Sequence, residues 1–253
     1  VGLFSVFKAM FSGSVFNVLE GARALTPREQ RALAMGHVYA AEGSLPINAL
    51  TMEADARTAA KLLASAWDVH DNDSYLSTMT WLRESGHRSM YPVIAPLVES
   101  AFAQRMNRKE TRGLTAKAAA DAQRLELDPP QAALLCEGWF NSAMLGGHAA
   151  LPEPLPTSIA AWDCARAVQL SRLAVDAGFT NDSEAFALLG DFVAISREHH
   201  HSWAEFGDAF VTGRAFWSAT DVRNPVDQEL DKFTSARDSL LSAEDSPWHA
   251  TAW

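Results

Sequence analysis

The stretch from Ile159 to Trp217 narrows the fold more than any other part of the chain. At about 100° per residue, Trp162, Asp163, Arg166, Leu170 and Leu173 share one face of a helix, and Trp203, Phe206, Phe210, Arg214 and Trp217 share one face of another. Apolar residues at that spacing mark a helix that buries one side, yet both stripes carry charge. A charge in such a place has to be paired or stacked, because an unpaired buried ion costs several kcal/mol, roughly. The stretch therefore predicts helices packed through aromatic faces, with Asp163, Arg166 and Arg214 as a buried ion network and Trp162, Trp203 and Trp217 as its apolar surround. Arg214, one turn from Phe210, is expected to be mostly buried and to bridge to Asp163.

The rest of the chain has the same periodicity. Thr26-Pro27-Arg28-Glu29 is a capping box with proline at the first helical position, predicting a helix to about Glu42, where Gly43 stops it. Ala56, Ala59, Leu63 and Trp67 recur at helical spacing, and Asp71-Asn72-Asp73-Ser74 opens a further helix that Gly86 ends, leaving His87 just past a helix C-terminus. Pro129-Pro130 and Asn224-Pro225 open later helices, and Ser242 to Trp253 reads as a loose tail. No run alternates β-branched and polar residues as strands would. The expectation is all-α, a single domain of about nine to eleven helices. Residues 145–157 hold Gly146-Gly147 and three prolines, a lid or a linker that would divide two packed helical subdomains. Residues 1–25 are read as an amphipathic N-terminal helix, 26–217 as the main helical domain and 218–253 as a last helix and tail.

Charge and cysteine usage bound the function. Twenty-one Lys and Arg against thirty-one Asp and Glu give a net charge of −10, which repels a phosphate backbone, and the densest basic run, Arg105 to Arg112, is interrupted by Glu110. Nucleic acid is not an expected partner. Cys136 and Cys164 lie alone in apolar helical contexts, as small buried hydrophobes of a reducing cytoplasm do. The apolar residues 1–18 are too short and interrupted to span a bilayer; docking on the core is expected, with peripheral membrane contact as the weaker alternative.

Trp162-Asp163-x-x-Arg166, the Gly178-Phe179 turn, Ser202-Trp203 and Gly213-Arg214-x-x-Trp217 resemble the C-terminal signature of a bacterial family of unknown function, DUF1266. Upstream, Trp67-Asp68-Val69 and Trp81-Leu82-Arg83-Glu84-Ser85-Gly86-His87-Arg88 are similar to its N-terminal signature. The likeness covers roughly Thr26 to Trp217, with Phe179 where a tyrosine would be expected. It implies a shared helical fold and carries no activity.

Chemical motifs are sparse. There is no phosphate loop, nucleophile elbow, dinucleotide fingerprint or His-Glu-x-x-His, and no cofactor is expected. His199, His200 and His201 are weak metal candidates, because adjacent helical residues point about 100° apart, and histidines at a helix end already favour its dipole. His87 is expected to cap the preceding helix, with general-base catalysis as the alternative. Two functions from different classes remain. The preferred one is a cytoplasmic helical protein-interaction protein, for example one binding a basic effector or toxin. The alternative is an enzyme or small-molecule-binding protein with a pocket around His87, Asp163, Arg166 and Arg214.

Overall fold

The computed structural model describes residues 16–106 and 111–253. The N-terminal helix expected within 1–25 falls mostly outside those residues, as do 107–110 of the basic run, and residues 16–25 form no helix. The fold is all-α. Among the described residues there are eleven α-helices of six or more residues and no strand. They are α1 (Pro27–Ala34), α2 (His37–Glu42), α3 (Ala56–Trp67), α4 (Asn72–Glu84), α5 (Tyr91–Ala103), α6 (Arg112–Arg124), α7 (Pro129–Met144), α8 (Ala160–Asp176), α9 (Asp182–His199), α10 (Trp203–Ser218) and α11 (Leu230–Ser242). A 3₁₀ turn at His87–Ser89 and one helical turn at Pro247–Ala250 complete the set.

The helix starts follow local chemistry. Thr26 accepts from the Glu29 amide while Glu29 reaches back to the Thr26 amide, closing the expected capping box. Asp55, Asp128 and Asn181 cap α3, α7 and α9 in the same way, each accepting from the amide three residues on. The one long helix expected from Pro27 to Glu42 is broken at Met35-Gly36 into α1 and α2. A Cβ on Gly36 would lie 2.4 Å from Val168 Cγ1, so the break brings backbone against α8 where only glycine fits.

The chain divides into two compact units. Of the described residues, the first takes 16–84, 163–207 and 232–253; the second takes 85–106, 111–162 and 208–231. The later boundaries therefore fall inside α8, α10 and α11, which a composition-based search for linkers does not find. Residues 145–157 lie wholly within the second unit, where the His148 ring packs 3.9 Å from that of Trp139 and Leu151 is buried. Burial lowers the His148 pKa to about 4, so its ring is neutral at physiological pH. Trp139, Phe216 and Tyr91 form the edge-to-face core of this unit, with centroids 5.4 and 5.2 Å apart.

In the first unit Leu33, Val38, Leu63, Met79, Val168, Leu189 and Phe192 are buried together with Tyr75, whose hydroxyl lies 2.9 Å from Ser171 Oγ. The C-terminal tail is docked here and is not loose. Trp248 is buried, stacks on Trp203 at 5.1 Å and 10°, and donates its indole N–H to the Ala34 carbonyl. Trp253 donates to the His200 carbonyl, Arg31 to Ala252 and Arg197 to Trp253. Two tryptophans in a short polar segment have no periodicity to reveal them, but each buries enough apolar area to hold the segment.

Candidate functional site

A surface groove in the first unit runs between the end of α3 and the middle of α4 and is floored by α8. Ser65, Trp67, Asp68, Ser77, Thr78, Trp81 and Arg166 line it, and it encloses about 590 Å³. Trp67 is the last residue of α3, and Asp68 ends that helix in the left-handed region (φ 55°), which Asp tolerates better than most residues. On α4, Ser77 and Thr78 lie four and three residues before Trp81, so each falls about one turn from it and borders it on the helix surface. From α8 the Arg166 guanidinium reaches out between the tryptophans, 4.4 Å from the Trp67 ring centroid and 5.7 Å from that of Trp81. Burial lowers the Arg166 pKa, and the charge of Asp163 and the Tyr39 hydroxyl oppose the shift. Trp81 is 40% exposed, whereas the Asp68 side chain is almost wholly in solvent, 2.8 Å from His70 Nε2.

The groove thus gathers tryptophan, arginine and aspartate from positions 67, 68, 81 and 166, the residues that the N- and C-terminal signatures mark. The sequence profile described as a protein of unknown function, DUF1266, matches residues 62–253. The chain belongs to DUF1266. No curated protein and no solved structure matches it. The DUF1266 match begins five residues before Trp67 and runs past Trp217 through the docked tail, further than the signature motifs reach.

The other candidate residues divide between the units. Arg214 lies in the second, its side chain 15% exposed, and it forks onto Asp227, with Nε donating to one carboxylate oxygen and Nη2 to the other at 3.2 Å. It also sits 5.1 Å from the Trp217 ring and 6.0 Å from that of Trp162. Guanidinium in an aromatic stripe is what the spacing predicts, and a Cβ on Gly213 would meet Trp162 Cβ at 2.3 Å, so α10 backbone lies directly on the first turn of α8. Asp227 was not legible as a partner because it sits in an irregular segment beyond α10. Burial alone would raise the Asp227 pKa, but hydrogen bonds from Arg214 and the Glu229 amide outweigh it and hold the carboxylate below its ordinary value. Asp163, fully buried, belongs to the first unit. Its bridge to Arg214 would run from one unit to the other and stays an expectation.

Trp203 is part of the tail's docking site, donating its indole N–H to Thr251. His87 is buried at the start of the 3₁₀ turn. Of the three adjacent histidines, His200 turns inward against Phe206, and burial, reinforced by the neighbouring His199, lowers its pKa to about 4; His199 and His201 are exposed. Among the described residues no three His, Cys, Asp or Glu side chains are grouped to hold a metal ion, and no helix is long and apolar enough to cross a membrane.

One polar constellation escaped sequence reading altogether. Arg172, with no exposed surface, donates to the carbonyls of Leu50 (3.0 Å) and Pro46 (2.7 Å), while Asp176, one turn on, accepts from Thr51 Oγ1 and the amides of Met52 and Ala54. Together they pin the loop 46–54 to α8. The signal available was the i, i+4 Arg/Asp spacing, which equally describes an exposed helix pair.

Proposed function

We propose that this DUF1266 chain is a protein-interaction protein of the cytoplasm and that it meets its partner through the groove of Trp67, Arg166 and Trp81. The observation that carries this is the tryptophan–arginine–tryptophan stack held at the surface. Trp and Arg, held against one another with Trp81 partly exposed, are among the residues that dominate binding energy at protein interfaces. The two buried free cysteines suit a reducing compartment. The test is affinity capture with the purified chain and with Trp81→Ala, whose exposed site makes the substitution mild for folding. A stoichiometric partner retained by the wild type and lost by Trp81→Ala supports the reading; a partner retained equally by both removes the groove from it.

The small-molecule alternative keeps one support. Arg166, one of its four residues, lines a groove whose volume lies within the range of ligand pockets. Binding of a small planar anion abolished by Arg166→Met, with no protein partner recovered, would favour it.

A further inference from the structure

We propose that the segment received by this groove is cationic, a stretch of partner protein that presents arginine or lysine to Trp81 and to the acidic turn beginning at Asp68. The inference rests on the interaction reading above and adds the partner's chemistry. Between Leu62 and Leu82 the chain has no lysine or arginine, and it carries Asp68, Asp71 and Asp73, all exposed. Asp68 lines the groove itself, and the other two follow on the turn into α4. Ser74 holds Asp71 in place by donating both its amide, at 2.8 Å, and its hydroxyl. Leu62 and Leu76, 47% and 39% exposed, add apolar surface on the same two helices. The groove's own cation, Arg166, is stacked on indole and sits in the field of Asp163, so an approaching chain meets the carboxylates first. Indole faces attract cations, and a net charge of −10 steers a basic partner at long range. Within the groove lining an acidic segment would gain Arg166 alone and meet Asp68, with Asp71 and Asp73 exposed on the turn that follows.

The test uses the full chain and two short synthetic peptides of matched apolar content, one bearing arginines and one glutamates, with affinity read by calorimetry. One variant combines Asp68→Asn, Asp71→Asn and Asp73→Asn. Asparagine accepts the left-handed backbone at position 68. A second removes the same charge elsewhere, through Glu42→Gln, Glu137→Gln and Glu244→Gln at exposed positions. The expected result is that the arginine peptide binds, that the aspartate variant weakens it roughly tenfold or more, and that the glutamate control changes it by less than about threefold. Tighter binding of the glutamate peptide, no binding of the arginine peptide, or equal loss in both variants overturns the proposal. A natural partner whose capture depends on Trp81 but is untouched by the aspartate variant overturns this proposal while leaving the interaction reading intact. Capture insensitive to Trp81→Ala fails the interaction reading itself.

Discussion

Arg214 shows how far a single residue can be read. Its place in an aromatic stripe requires that it be paired or stacked, and it is both, forked onto Asp227 and set against Trp162 and Trp217. That Asp227 pairs with it is a matter of where an irregular segment returns, and periodicity says nothing of that. Arg214→Met strands a mostly buried carboxylate and should cost about 3 kcal/mol in chemical denaturation, with Asp227→Asn on the same background recovering part of the loss. The pair also sets a pH response. A carboxylate held below its ordinary pKa contributes stability above the unfolded value of about 3.9, and the contribution is lost as pH falls through the folded value. Wild type should therefore lose more stability than Asp227→Asn between about pH 5 and pH 3, as measured by urea midpoints.

At the scale of elements, α8 carries more than its apolar face. Arg166 projects to the groove, while Arg172 and Asp176 hold the loop 46–54, the arginine taking carbonyls and the carboxylate taking amides. Asp176→Ala would leave the Met52 and Ala54 amides without their acceptor and should cost about 1–3 kcal/mol, with faster hydrogen exchange confined to that loop. The C-terminal turn is a second element decided by packing. Trp248, enclosed by Trp203, Phe206 and the Ala34 carbonyl, makes the tail part of the first unit's core. Trp248→Ala should cost about 3–5 kcal/mol in equilibrium unfolding. A loss below about 1 kcal/mol would mean the docked tail contributes little.

For the whole molecule, the net charge of −10 governs the salt response. Exposed pairs such as Arg23–Glu29 and Arg83–Asp191 contribute little in water, so screening them costs less than is gained by relieving self-repulsion. Raising potassium chloride from about 0.05 to 0.5 M should raise the melting temperature. By itself the sequence determined the class of fold and most helix starts, because capping boxes, prolines and a 3.6-residue apolar period act within a few residues of each other. It also marked Arg166 and Arg214 as charges that a helical core alone does not account for, while Trp67 and Trp81 read as apolar helix-face residues within a family signature. Only the tertiary structure decided that Trp67, Trp81 and Arg166 share one groove, that Arg214 takes Asp227, that Arg172 and Asp176 clamp a loop, and that the tail is docked. Each of these joins residues 13 to 221 positions apart in sequence, and such meetings are set by how helices pack, which no local pattern encodes.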